Sequence, residues 1–197
     1  MSWTTADAGP APRLLVVTGP PGSGKSTVCE ALADRWEPSV LVEGDAFFTF
    51  LRRGAIPPWL PESHAQNDTV VRAAAAATGT FAADGIAVVY DGVIGPWFLP
   101  SFAALTGIEV LDYVVLLPPV ETCLRRVATR TGHGFTDLDA ARHMHEDFVR
   151  ATSTGARPSA APVPGAVLTD LPDDVAGVVD AIIAAMRSGR TRYTVEA

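Results

Sequence analysis

Leu14-Leu15-Val16-Val17-Thr18-Gly19-Pro20-Pro21-Gly22-Ser23-Gly24-Lys25-Ser26-Thr27 decides the fold class. A short apolar run that ends at a glycine-rich turn has the pattern of a strand buried on both faces of a parallel sheet. The turn satisfies GxxxxGK[ST] at every position from Gly19 to Ser26. Glycines allow the backbone to wrap a phosphate with its N–H groups pointing inward. The helix that opens at Ser26 adds partial positive charge on the same side. In such a loop Lys25 reaches the β- and γ-phosphates, and Ser26 offers its hydroxyl to Mg²⁺. Gly19, Pro20, Pro21, Gly22, Ser23, Gly24, Lys25, Ser26 and Thr27 are therefore the predicted nucleotide-binding stretch, with ATP and Mg²⁺ as cofactors. A glycine-rich turn with an incidental lysine is the alternative. The strand before it and the helix after it weigh against that.

Working outward, apolar runs alternate with helical stretches, as in an α/β fold with a parallel sheet. Strands are predicted at Val40–Val42, Ile86–Tyr90, Tyr113–Leu117 and Ala166–Thr169, giving five with the first. Helices are predicted over Ser26–Trp36, Ala46–Arg53, Glu62 or Ser63 to Ala83, Pro96–Leu105, Val120–Thr131 and Leu138–Ala151. A last helix starts with Pro172 in its first turn and runs to about Arg187. The alanine tract Ala73–Ala77 favours helix strongly. Thr136 or Asp137 is the expected N-cap of the Leu138 helix. Residues 1–12 read as a flexible leader and 13–187 as a single domain with a lid at about 131–142. Residues 188–197 form a tail without a core pattern.

The 197-residue chain suffices for one domain, and its formal net charge of −7 argues against nucleic acid or an anionic membrane as partner. Cys29 and Cys123 make no metal-ligand spacing and read as buried, reduced thiols. The N-terminus has neither a basic n-region nor an apolar h-region, and no apolar run is long enough to span a bilayer. The expectation is a cytoplasmic monomer or homodimer acting on a small molecule.

Two carboxylates close strands. Asp45 follows Val40-Leu41-Val42-Glu43-Gly44, where an acceptor hydroxyl would approach the γ-phosphate. It is a candidate general base, or else the N-cap of the following helix. Asp91 ends an apolar strand in Ala87-Val88-Val89-Tyr90-Asp91-Gly92, as a Walker B residue holding the Mg²⁺ shell would, or as a turn former. Arg126 and Arg130, four apart with Arg125 beside them, precede Gly132-His133-Gly134. They are candidates to neutralise the transferring phosphoryl group, or else a solvated face pairing with Glu121 or Asp137. His143 and His145 are two apart on a helix and point to different sides, which argues against a metal pair. Phe47, Phe48, Arg52, Arg53, Trp59, His64, Tyr90, Trp97 and Phe98 follow strands two and three and could line an acceptor pocket or simply pack. Asp45, Phe48, Arg52, Asp91 and Trp97 are the named acceptor contacts.

Thr18-Gly19-Pro20-Pro21-Gly22-Ser23-Gly24-Lys25-Ser26-Thr27, then Glu43-Gly44-Asp45, a Pro57-Pro58-Trp59 loop and Tyr90-Asp91-Gly92 resemble the small bacterial P-loop kinases. That group includes gluconate kinase, shikimate kinase, adenylylsulfate kinase and chloramphenicol phosphotransferase, and the likeness runs over most of residues 13–187. The resemblance implies a nucleoside-monophosphate-kinase-like, three-layer α/β/α fold with strand order 2-3-1-4-5 and Asp45 as catalytic base. No guanine-specifying NKxD occurs, which disfavours a GTPase. The resulting expectation is ATP-dependent phosphoryl transfer to a hydroxyl of a sugar acid, an antibiotic or a related metabolite. A nucleotide or nucleic-acid-end kinase, and a nucleotide-dependent regulatory or toxin-like ATPase, are the alternatives.

Overall fold

A computed structural model describes residues 11–130, 135–153 and 165–195. The predicted Gly132-His133-Gly134 joint, residues 1–10 of the leader and most of the Ser153–Pro164 loop lie outside the described residues.

The chain order is β1 (Leu14–Thr18), α1 (Lys25–Ala33), β2 (Ser39–Glu43), α2 (Gly44–Phe48), α3 (His64–Ala83), β3 (Ala87–Asp91) and α4 (Leu99–Thr106). It continues with β4 (Val110–Leu116), α5 (Val120–Thr129), α6 (Leu138–Thr152), β5 (Ala166–Leu168), α7 (Val175–Arg187) and β6 (Arg192–Thr194). Five parallel strands run in the order β2-β3-β1-β4-β5. Every residue of β1 is buried, because the strand pairs on both edges and is covered on both faces. Its side chains alternate between two cores. Leu14 and Val16 join Val88, Tyr90, Phe102 and Tyr113, while Leu15 and Val17 join Leu32, Val89, Leu116 and Ile182. Helices α3 and α4 close the first core, and α1 and α7 close the second. Full burial of each such aliphatic side chain stabilises the fold by about 1.5–3 kcal/mol. Among the described residues no helix is long and apolar enough to cross a membrane.

Several boundaries differ from the sequence reading. Helix α2 stops at Phe48 rather than Arg53, so Arg52 lies in an exposed loop. Helix α5 stops at Thr129, and Arg130 is extended (φ −70°, ψ 128°), so Arg126 and Arg130 do not share a helical face. Pro172 precedes α7, whose cap is Asp174 accepting from the Gly177 N–H at 2.6 Å. Asp137 caps α6 by accepting from the Ala140 N–H at 2.9 Å, one of the two expected residues.

The largest difference is the C-terminal segment. β6 pairs antiparallel with Val110–Asp112 of β4, making the sheet six-stranded. β5 takes the Val114–Leu116 stretch of the same edge. Thr191, just before β6, is wholly buried; its carbonyl accepts from the Tyr113 N–H at 2.8 Å, and its hydroxyl donates to the Asp112 carboxylate. Tyr193 and Val195 pack against the first core. The folded unit thus extends past 187. Arg192-Tyr193-Thr194 carries no apolar alternation, and its place is set by backbone pairing that hydropathy does not display.

Candidate active site

The phosphate loop sits where β1 ends and α1 begins, with Ser23 N–H donating to the Pro20 carbonyl at 3.1 Å. Two glycines are required by close approach as well as by backbone angle. Gly19 (φ 152°) faces the Leu116 carbonyl at the end of β4, and Gly22 (φ 81°) faces the Cys123 carbonyl of α5. A Cβ at either would collide with backbone, so only glycine lets the loop pass between the two elements. Arg126 fastens the same junction from outside. Its Nη1 donates to the carbonyls of Gly22 at 3.3 Å and Ser23 at 3.1 Å.

Strand register brings the carboxylates to the loop. Val17 of β1 lies opposite Asp91 of β3, and Asp91 lies opposite Glu43 of β2, which leads directly to Asp45. Asp91 is buried and hydrogen-bonded to Ser26, and its Oδ1 has no partner. Burial raises its carboxyl above the usual carboxylate range; Lys25, the Ser26 hydrogen bond and Arg130 oppose that, while Asp45 adds to it. Lys25, Ser26, Asp45, Asp91 and Arg130 therefore form one electrostatic cluster. A buried carboxylate oxygen without a donor, next to a serine hydroxyl, suits the water shell of a hard divalent cation. Ser26 and Asp91 fit the Mg²⁺ role, in which the ion would neutralise phosphate charge.

Asp45 is not a helix cap. Helix α2 begins at Gly44 after Glu43, no side chain caps it, and the Asp45 side chain is exposed toward a cavity. That cavity, about 560 Å³, opens between the phosphate loop and a wall made by α2, the Pro58–Pro61 loop, α3, the loop after β3, and α6. Lys25, Asp45 and Arg130 stand together on its lining with Phe48, Trp59 and Trp97. Tyr113 Oη donates to the Ile94 carbonyl at 2.7 Å, and the Ile94 N–H donates to Thr18 Oγ1 at 3.0 Å. These bonds pin the 92–98 loop to β1 and β4. A second cavity of about 390 Å³ lies on the other side of the phosphate loop, lined by Gly22, Gly24, Thr27, Arg126 and Pro172. Arg130 lines both.

Residues 14–153, more than half of the chain, match the AAA domain family. This chain belongs to that AAA domain family. Among curated proteins none matches it in sequence. Solved structures share the fold at low identity. A gluconokinase from Sinorhizobium meliloti 1021 is 24% identical, with a TM-score of 0.58 over 91% of this chain and 94% of its own. The shikimate kinase of Acinetobacter baumannii, solved with shikimate, is 19% identical, with a TM-score of 0.57 over 91% and 95%. The Deinococcus radiodurans tunicamycin resistance protein is 15% identical, with a TM-score of 0.61 over 95% and 100%. The fold is that of a P-loop kinase, and the group named from sequence is the group found in structure.

Within the AAA domain, most sequence-predicted positions converge. Phe48, Trp59, His64, Tyr90, Trp97 and Phe98 line the larger cavity; Phe47, Arg52, Arg53 and Asp91 do not. Arg52 is excluded by the early end of α2, and Asp91 by its burial beneath Ser26 and Lys25. Among the described residues no ion pair joins Arg125, Arg126 or Arg130 to Glu121 or Asp137. Arg125 is exposed and lines neither cavity. His143 faces the larger cavity, whereas His145 is buried with Nε2 2.8 Å from the Pro118 carbonyl, so the pair does diverge. His133 lies outside the described residues. Both cysteines are buried and free. Two walls escaped the sequence reading. Beside the predicted His64, Asn67, Val70, Val71 and Ala74 of α3, and Ala140, His143, Met144 and Asp147 of α6, face the cavity at helical spacing. The signal was available as i, i+3, i+4, i+7 stripes, but nothing local distinguishes a cavity stripe from a core stripe.

Proposed function

We propose that this AAA-domain protein transfers the γ-phosphate of ATP to a hydroxyl of a small molecule held in the larger cavity. The observation that carries the reading is that Lys25, Asp45 and Arg130 share the wall on which the acceptor cavity opens. The likeness of fold to a gluconokinase and a shikimate kinase supports it. Asp45 takes the proton from the acceptor hydroxyl as its oxygen bonds to the γ-phosphorus. The bond from that phosphorus to the β–γ bridging oxygen breaks, and ADP leaves with the electron pair. Lys25 and Arg130 offset the charge on the phosphoryl oxygens, a contribution worth about 2.7–4 kcal/mol for one well-placed donor. Arg126 holds the phosphate loop and contacts nucleotide from the side of the smaller cavity. Ser26 and Asp91 would hold Mg²⁺, which would supply charge neutralisation to the phosphates. Phe48 and Trp97 flank the acceptor.

The test is transfer of labelled γ-phosphate to a panel of hydroxylated metabolites and antibiotics. Lys25→Ala should abolish transfer while circular dichroism and melting stay near wild type. Equal turnover in that variant would overturn the assignment.

A further inference from the structure

The larger cavity has a chemical character that narrows its ligand. Among the described residues its only permanent cations are Lys25 and Arg130. Both are at the phosphate end, where they belong to ATP under the proposed reaction. The remaining polar groups are two carboxylates and a set of side chains without permanent charge: the Ser63 and Tyr90 hydroxyls, the indole N–H groups of Trp59 and Trp97, the His64 and His143 rings and the Asn67 amide. Asp45 is a carboxylate; so is Asp147, already engaged by Arg150 at 3.0 Å and lying 3.7 Å from His143. Asn67 spends its amide N–H groups on the Pro58 carbonyl at 2.7 Å and Ser63 Oγ at 2.9 Å, and its Oδ1 has no donor.

The body of the cavity is aromatic. Trp97 packs one side on Phe148 with ring centroids 5.1 Å apart, yet stays 43% exposed. Trp59 meets Phe135 edge to face at 5.0 Å and stays 39% exposed. Both tryptophans line a space of about 560 Å³, within the range of small-molecule sites. Amphipathic rings left open in a concave site are the usual contact surface for an apolar ligand.

We infer that the acceptor is a neutral or cationic, hydroxyl-bearing compound with an aromatic or similarly apolar body, and that carboxylate-bearing acceptors such as sugar acids are excluded. The inference rests on the proposed phosphotransferase reading for the identity of the hydroxyl end. The exclusion follows from charge. With nucleotide holding Lys25 and Arg130, a carboxylate here would find no further cation among the described residues, would face Asp45 and Asp147, and would lose hydration without recompense.

Calorimetric titration with a matched pair, 3-phenyllactate and its methyl ester, tests this without phosphoryl transfer once a non-hydrolysable ATP analogue saturates the phosphate loop and occupies Lys25 and Arg130. The ester should bind at least about tenfold more tightly than the acid, a factor that corresponds to about 1.4 kcal/mol. Trp97→Ala should weaken ester binding about tenfold. Because Trp97 also packs on Phe148, Trp59→Ala on the exposed loop serves as a second variant expected to act in the same direction. Equal or tighter binding of the acid, no ester binding up to millimolar concentration, or indifference to both tryptophan changes would overturn the inference. Transfer of labelled phosphate is read separately. A bound ester that receives no phosphate would count against the catalytic reading and leave the ligand class intact.

Discussion

Asp45 and Asp91 lie at the ends of adjacent strands, yet their surroundings separate their roles. Asp45 is exposed to the cavity and caps nothing. Asp45→Asn should therefore change thermal stability by no more than about 0.5 kcal/mol, the usual span for surface positions. Transfer should fall about a hundredfold or more through loss of the base. Phosphate transfer and melting measured on one preparation check both halves; full transfer would end the assignment of Asp45 as base. Asp91 behaves oppositely. Burial, then Asp45, pushes its carboxyl up, so folding favours its protonated form despite Lys25, Ser26 and Arg130. Below the ordinary carboxylate pKa both folded and unfolded chains hold the proton, and nothing is lost. As pH rises from there through the raised folded value, the unfolded chain releases its proton first and the ligand-free protein loses stability. Asp91→Asn should remove that loss. The variant should melt higher than wild type at pH 7, converge with it at acid pH, and bind Mg²⁺-ATP poorly. Melting curves across pH, with and without Mg²⁺-ATP, report each part.

At the scale of elements, those with strong local signals were legible and those fixed by partners were not. The fully buried run Leu14–Val17 announces a central strand. The four buried residues from Tyr113 to Leu116 announce another, although β4 begins three residues earlier at Val110 because β6 gives its first residues a partner. Helix α2 was overextended because Thr49, Phe50 and Leu51 continue as successive turns, which resemble helix in composition. The short β6 was missed outright. Its hold on the fold is chemical as much as geometric. Thr191 donates to Asp112, whose carboxyl burial pushes upward, while this bond and Arg192 pull it back. Thr191→Val should cost about 1–3 kcal/mol, the range for leaving a buried acceptor unpaired. The raised folded pKa sets the sign of the pH effect. The ionised form bears the penalty, so the cost should be full above that value and shrink as acid protonates Asp112. Denaturant melts at neutral and acid pH check it; a pH-independent cost, or none, would show that Thr191 merely fills space.

For the whole molecule, the nucleotide side of the site could be read whole from the chain, and the acceptor side only in part: Phe48, Trp59, His64, Tyr90, Trp97 and Phe98 were readable, the α6 wall was not. Gly19–Ser26 is contiguous, so one stretch of sequence carries its chemistry. The larger cavity is assembled from α2, the Pro58–Pro61 loop, α3, the loop after β3, and α6, segments spread from Gly44 to Asp147. Only the sheet order β2-β3-β1-β4-β5 brings them to one end. Trp97 looked the same on paper whether it faced core or cavity, and it does both.

Arg130 stands on the linings of both cavities. Under the proposed reaction, a nucleotide that holds Arg130 also shapes the wall the acceptor meets, so the two affinities are expected to be coupled. Whatever factor bound nucleotide imposes on acceptor affinity, the acceptor must impose on nucleotide, because the thermodynamic cycle closes. Couplings of this kind are commonly 5- to 150-fold. Arg130→Ala should bring both factors toward unity together, even if each separate affinity also falls. Titrating either ligand against the other, in wild type and variant, checks that equality. An unchanged factor in the variant would show that the two ligands communicate, if at all, by another route.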